Sequence, residues 1–227
     1  MRAHIAVGIA CAVVLAVAWQ PVIAGESSSE LVVQGRYFRP KDDDSYDKGY
    51  GAEVQMRWWL GPSWGMAAAI GFCNWEVDEE EAAVAEYVPG YAAYEVYASI
   101  EGDVRLVPVG VSLICRAPVN EQVSVRGEAG IRYVIVESDA EGEVQVGAAV
   151  PVYGGAVAVK DEIDIDDGII GVLAGELNFR ASEAVSFLAG VGYQFDVSKG
   201  DIEWAGEDCG ENELQAWFLM AGVSLKL

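Results

Sequence analysis

Hydrophobic and polar residues alternate along most of the chain with a period of two. In the segment 123–136, the odd positions are apolar residues or glycine, whereas the even positions include Arg126, Glu128 and Arg132. Such alternation is typical of a β-strand whose two faces meet different surroundings. The pattern predicts an all-β protein with eight strands. We expect them at about 30–39, 50–60, 64–77, 102–116, 123–137, 167–180, 185–197 and 213–227.

The connections between these strands alternate between short and long. The short ones are 61–63, 117–122 and 181–184, and the long ones are 41–49, 78–101, 138–166 and 198–212. This is the arrangement of a sheet whose strands run up and down, with tight turns at one end. The sequence shows no internal repeat and no linker, so we predict a single domain.

Alternation does not decide which face of a closed sheet lies inside. The polar face is dominated by glycine, serine, glutamine and charges, and the apolar face carries bulky aromatic residues near the strand ends. They are Tyr37, Tyr50, Phe72, Tyr133, Tyr193, Phe195 and Trp217 toward the long loops, and Trp58, Trp64, Phe179 and Phe187 toward the short turns. Two aromatic belts around an aliphatic band are typical of a bilayer-spanning barrel. We predict an eight-stranded antiparallel up-and-down transmembrane β-barrel, with a soluble lipocalin-like barrel as the alternative.

The segment Gly49–Glu53, leading into Arg57–Trp59 within eight alternating strands, resembles the small outer-membrane β-barrel proteins of the OmpA membrane-domain and OmpX type. The resemblance covers 25–227. It implies insertion by the barrel-assembly machinery, periplasmic termini and an interior plugged by salt bridges. Two features depart from the pattern. Pro108 lies inside the fourth strand, where we expect a bulge, and Leu227 stands where a terminal aromatic residue is usual.

The N-terminus has the pattern of a secretory signal peptide. A positive start precedes the apolar run Ile5–Ala18, and small residues lead up to Ala24. As a helix, this run is too short to cross a bilayer core of about 30 Å, and Cys11 lies too early in it for a lipoprotein signal. We predict a signal peptide at 1–24 and an outer-membrane β-barrel domain at 25–227, in a Gram-negative-type bacterium.

Charge narrows the range of partners. The chain has 14 Lys+Arg and 36 Asp+Glu, giving a net charge of −22, which argues against nucleic acid. The four long loops hold 23 of the acidic residues and four lysines. We expect outer-membrane lipid as a partner, and divalent cations are candidates at the acidic loops, since Ca²⁺ takes six to eight oxygen ligands. The alternative is a solvated acidic surface. The strongest clusters are Asp42–Asp44, Asp78–Glu81 and Asp161–Asp167.

The polar face places a set of charged residues inside the barrel. They are Arg36, Glu53, Arg57, Arg126, Glu128, Arg132, Glu176 and Arg180. A buried salt-bridge network is the structural interpretation, because a charge in a narrow lumen needs a partner. A proton relay or charged gate is the functional alternative.

Nothing in the sequence favours an enzyme or a cofactor. Removal of the signal peptide takes away His4, the only histidine, and with it the usual serine–histidine arrangement. Cys73, Cys115 and Cys209 are too few for a disulfide framework, although a Cys73–Cys209 bridge is open.

We therefore expect a non-enzymatic outer-membrane protein with a structural or surface-interaction role through its acidic external loops. The alternative is a narrow porin-like channel for small or hydrophobic solutes. A soluble lipid-binding barrel of the periplasm is a third hypothesis.

Overall fold

A computed structural model describes residues 28–41, 48–82, 94–138, 141–148, 157–204 and 207–227. These residues form twelve β-strands and no helix. The strands are β1 (Ser28–Pro40), β2 (Gly49–Trp59), β3 (Trp64–Ala82), β4 (Tyr94–Pro118), β5 (Val123–Ser138), β6 (Glu141–Ala148), β7 (Val157–Ile165), β8 (Gly168–Arg180), β9 (Val185–Ser198), β10 (Gly200–Trp204), β11 (Glu207–Asn212) and β12 (Ala216–Lys226). Among the described residues, no helix is long and apolar enough to cross a membrane.

Eight of these strands close into an antiparallel barrel. The order around the wall is β1, β2, β3, β4, β5, β8, β9 and β12, and β12 pairs back onto β1. Closure satisfies the backbone groups of both terminal strands, as Glu30 opposite Lys226 and Pro40 opposite Ala216 illustrate. The fold class predicted from the sequence, an eight-stranded antiparallel up-and-down transmembrane β-barrel, is confirmed.

The two faces of the wall differ in the way the alternation predicts. Outward-facing Leu219, Leu177 and Ile131 are 60%, 59% and 56% exposed, and together with other aliphatic side chains they form the apolar surface that lipid requires. The predicted belt aromatics point outward as well. Tyr193 packs against Trp217 with ring centroids 4.8 Å apart. The polar faces of the same strands turn inward and are buried.

The long connections contain strands that the sequence analysis treated as loops. Above the barrel, β4 continues to pair with β6, and β7, β10 and β11 extend that sheet. The pairing of β4 with β6 keeps the register of β4 with β5, since Val104 faces Ser138 and Glu101 faces Glu141. The prediction of loops throughout these stretches was therefore wrong. Alternating apolar residues such as Val144 and Val146 were the signal for strands there.

Pro108 does not cause the expected bulge. Strand β4 keeps one register against β3 on both sides of it, with Ile70 facing Val109 and Cys73 facing Leu106. On its other side Pro108 faces Val134 in an uninterrupted ladder with β5. The proline therefore replaces one N–H in the wall without inserting a residue.

The interior is layered, which the prediction of a polar lumen missed. Toward the long-connection end it is an apolar core, which we call the apolar cap. Its members are Phe38, Cys73, Trp75, Val104, Leu106, Val134, Ile170, Val172, Leu214, Ala216, Phe218 and Met220. Toward the short turns the interior is charged, and at its base a small apolar cluster joins Trp59, Ala67 and Ile114.

Candidate functional site: the charged interior

A continuous chain of alternating charges crosses the barrel below the apolar cap. It contains four arginines and four glutamates, each less than 10% exposed. Following the contacts, its members are Arg36, Glu53, Arg132, Glu128, Arg57, Glu176, Arg126 and Glu30. We call these eight residues the charged plug.

Two of the ion pairs have a two-point geometry. The guanidinium of Arg57 donates to both oxygens of Glu176, over 2.6 and 3.0 Å. Arg126 donates to both oxygens of Glu30, over 2.8 and 3.3 Å. The planar fork of arginine matches a carboxylate in this way, which strengthens the pair and fixes its orientation. Each pair joins strands that are distant in the sequence.

The other two close pairs complete the upper part of the charged plug. Arg36 donates to Glu53 over 2.5 Å, and Arg132 donates to Glu128 over 2.6 Å. Longer contacts link the four pairs into one chain. They are Arg132 to Glu53 at 3.5 Å, Arg126 to Glu176 at 3.6 Å and Arg57 to Glu128 at 3.9 Å.

Neutral side chains supply further hydrogen bonds at the centre. The amide nitrogen of Gln55 donates to Glu53 over 2.5 Å and to Glu128 over 3.1 Å, and its carbonyl accepts from Arg57 over 2.7 Å. The hydroxyl of Ser112 donates to Glu128 over 2.7 Å and accepts from Arg132, also over 2.7 Å. Such bonds satisfy charges that burial has removed from water.

Two inward-facing glycines make room for these long side chains. Gly110 lies directly across from Arg132, and Gly130 lies across from Ser112. A Cβ atom at Gly110 would stand 2.8 Å from the Cδ of Arg132. The small residues of the polar face therefore act as complements to its large ones.

The structure brings seven of the eight predicted interior residues into the charged plug and leaves one outside. Arg180 is the last residue of β8, is exposed, and lines the barrel mouth at the short-turn end. Arg180 occupies an even position of β8, as the inward-facing Glu176 does. Because β8 ends at Arg180, its side chain extends beyond the buried layer.

The sequence analysis missed several members of this network. Glu30, Gln34 and Ser224 are all buried; Gln34 donates to Glu53, and Ser224 donates to Glu30. Glu30 and Gln34 share the even parity of Arg36 on β1. That parity was the available signal, although the first and fourth segments alternate less cleanly than the others.

Little space is left between the charged plug and the apolar cap. Arg36 stacks over the ring of Phe218, with its Cζ 4.7 Å from the centroid. A cavity of about 10 Å³ lies beside Arg57, Glu176 and Met220, which is room for about one water molecule. In the apolar cap, the ring of Phe218 packs directly against Gly192, where it occupies the space of a Cβ atom. The described interior is thus filled with side chains.

The structure describes two of the three predicted acidic clusters. Asp42–Asp44 lies outside the described residues, and Asp78–Glu81 lies on β3. The carboxylate of Asp167 accepts hydrogen bonds from the hydroxyl of Tyr133 over 2.5 Å and from the amide of Val136 over 3.0 Å. Within the described ranges, no group of three or more acidic, cysteine or histidine side chains is placed to hold a metal ion.

The cysteines lie far apart on the wall. Cys73 is buried in the apolar cap and Cys115 is half-buried near the short turns, and both are free thiols. Cys209 lies on β11. The bridge from Cys73 that the sequence left open is not formed.

No protein-family model and no curated protein matches this sequence. Solved structures do share its fold. The outer membrane protein OprG from Pseudomonas aeruginosa is 13% identical, with a TM-score of 0.57, over 88% of this chain and 96% of that one. Neisserial surface protein A is 11% identical, with a TM-score of 0.45, over 89% of this chain and 98% of that one. The likeness to OprG supports the same barrel fold.

Proposed function

We propose that this protein is a non-enzymatic outer-membrane barrel that acts through the surface formed by its external strands. In this arrangement the short turns face the periplasm, and the segment 1–24 has been removed as a signal peptide. The proposal is supported by the fold shared with OprG, itself an outer membrane protein, and by the exposed apolar belt that suits contact with membrane lipid.

The filled interior is the observation that carries this proposal. The charged plug closes the barrel with equal numbers of buried arginines and glutamates, and the apolar cap closes it again above. A conducting barrel needs a continuous polar path, which neither layer offers. We therefore place the function of the protein on the surfaces beyond these two layers.

The external strands provide a large surface for this role. Strands β6, β7, β10 and β11 and the outer part of β4 form one sheet beyond the barrel mouth. These stretches carry much of the acidic excess, for example Glu141 and Glu143 on β6 and Asp201 and Glu203 on β10. An acidic sheet suits the capture of divalent cations or of basic surfaces on other cells.

The first experiment establishes location and closure. The full-length protein is expressed, and the membrane fraction is collected and run unboiled and boiled on SDS gels. We expect sedimentation with the membrane and a mobility shift on boiling, because a closed barrel resists SDS. A protein that remains soluble without detergent would overturn the proposal.

A second experiment separates a plugged barrel from the channel alternative. The purified protein is inserted into planar bilayers and its conductance is recorded. We expect the wild type to be silent and the double variant E128A/F218A to open a current, because it removes the partner of Arg132 from the charged plug and a large ring from the apolar cap. Lys199→Ala, at an exposed position outside the barrel wall, is the matched control and should stay silent. A steady current through the wild type would favour the channel.

A further inference from the structure

A cavity of about 450 Å³ opens at the short-turn end, opposite the acidic sheet. Its walls are the inward-facing ends of the barrel strands, and the Arg126–Glu30 pair of the charged plug lies at its inner end. The volume falls within the range of small-molecule sites. We call this cavity the basal vestibule.

Cations outnumber carboxylates in the lining of the basal vestibule, in which Glu30, Glu121 and Glu183 are the acidic residues. Arg116, Arg180 and Lys226 line it together with Arg126. Arg116 reaches Glu30 only at 4.0 Å, and Glu30 is already engaged by Arg126. Among the described residues, no carboxylate lies within 4.0 Å of Arg180 or Lys226. Arg180 and Lys226 therefore line this space without an ion pair among the described residues, and Arg116 has only its long contact with Glu30, in a chain whose net charge is −22.

Two of these arginines are held side by side. Arg116 lies directly across from Arg126 in the β4–β5 ladder, and like charges in that position repel. Both guanidiniums stack on the ring of Trp59, with their Cζ atoms 4.1 and 5.4 Å from its centroid. The Nε of Arg116 also donates to the carbonyl of Pro62 over 2.8 Å. The protein thus fixes two cations close together where an added anion would relieve the repulsion.

The wall also holds a polar group that the protein leaves unused. Asn178 lines the basal vestibule and is 4% exposed. Its amide nitrogen has no hydrogen-bond partner among the described residues. Such a group normally finds an acceptor when buried, and rotation of the terminal amide, which is a soft torsion, can present it to a ligand.

We propose that the basal vestibule binds a small organic dianion, either a phosphate monoester or a dicarboxylate. Arginine forks recognise both groups in a two-point geometry. Arg116 and Arg180 provide the forks, and Lys226 adds a third cation. Arg180 and Lys226 are the last residues of β8 and β12, so the anion site lies near the mouth of the cavity, where Glu121 and Glu183 in the turns also line it.

Calorimetric titration of the full-length protein in detergent tests this proposal. The probes are glycerol 3-phosphate and succinate, with glycerol as the neutral control, at an ionic strength of about 0.15 M. We expect binding of at least one anion and none of glycerol. The anion that binds more tightly identifies the preferred group. Absence of heat with both anions would overturn the proposal.

Variants then locate the site. The double variant R180Q/K226Q should weaken binding at least about tenfold, since each charge-assisted bond contributes on the order of a tenfold change in affinity. Lys199→Gln, at the opposite end of the molecule, is the matched control and should bind as the wild type does. An equal loss in the control, or no loss in the double variant, would contradict the assignment.

The mobility of unboiled protein on SDS gels shows whether each variant forms its barrel. If the double variant does not, Arg180→Lys replaces it, because this change keeps the charge and removes the fork. We then expect clearly weaker binding than in the wild type, and unchanged affinity would count against the site.

Discussion

The two layers of the barrel interior fill the same lumen by opposite means. The charged plug sets each buried charge against an opposite charge, as Arg57 against Glu176. The apolar cap fills space with side chains such as Phe218 and Trp75, whose contacts are not directional. Shortening a residue of the apolar cap should therefore lower the free energy of unfolding in proportion to the volume removed. Removing a residue of the charged plug leaves another buried charge without its partner.

This difference follows from the cost of burying charge. A buried ion pair gains little over a well-packed apolar pair, but a buried charge whose partner is lost is strongly unfavourable. An apolar side chain loses only its transfer free energy and the cost of the cavity left behind. The plug thus enforces one arrangement of the strands, and the cap contributes stability.

The largest effect is expected from breaking the plug at its centre. Arg57→Met leaves Glu176 without its two-point partner, and we expect a loss of about 3–5 kcal/mol in the free energy of unfolding. Urea unfolding of the detergent-refolded protein, followed by tryptophan fluorescence, measures this loss.

The double variant R57M/E176Q is the control for this comparison. Because it removes both charges, it should recover much of the loss caused by Arg57→Met alone. Equal stability of the single variant and the wild type would mean that the plug is not the closed network described here.

A smaller effect is expected from trimming the cap. Ile170→Val removes one methyl group from a residue that is 4% exposed, and such changes cost about 0.5–1.5 kcal/mol. Ile169→Val is a matched control, because Ile169 is the adjacent residue and its side chain points outward and is 36% exposed. The same urea titration should rank the inward change above the outward one, and the reverse order would contradict the assignment of faces.

The smallest effect is expected from an ion pair outside the barrel. Lys199 donates to Glu213 over 2.6 Å, the same distance as between Arg132 and Glu128, but both partners are partly exposed. Glu213→Gln should therefore cost less than about 1 kcal/mol. A loss as large as that of a plug variant would refute the argument that burial, not distance, sets the cost.

The pH dependence of this exposed pair has a definite sign. The hydrogen bond from Lys199, and then its charge, hold the pKa of Glu213 below its usual value. The pair's small contribution is therefore complete at neutral pH and is lost as the pH falls through that lowered pKa. Urea titrations at neutral and acidic pH, on wild type and Glu213→Gln, should converge at the acidic end.

Strand alternation was enough to predict the barrel and the inward face of most plug residues. Parity along a strand fixes which wall face a residue occupies, and this is why Arg126, Glu128 and Arg132 were found together. Parity does not give height within the barrel. Arg180 shares the parity of Glu176, yet it lies at the mouth because its strand ends there.

The apolar cap and the external strands were beyond the same reasoning. Phe218 and Met220 are apolar residues on the otherwise polar face of β12, and they form part of a second layer that alternation does not predict. The external strands pair with one another and with the outer part of β4 above the barrel. Their partners become apparent once the register of β4 is known, and a single strand's sequence does not contain that register.

The contacts of the charged plug also bear on how the barrel is assembled. Arg57 on β2 and Glu30 on β1 find their two-point partners on β8 and β5, which follow much later in the chain. In a half-inserted barrel that contains only β1 to β4, these two charged side chains are exposed to water and lack their ion-pair partners. Arg57 and Glu30 gain their two-point partners only after the second half has joined. The ion-pair network of the interior is therefore complete only when the wall of the barrel is closed.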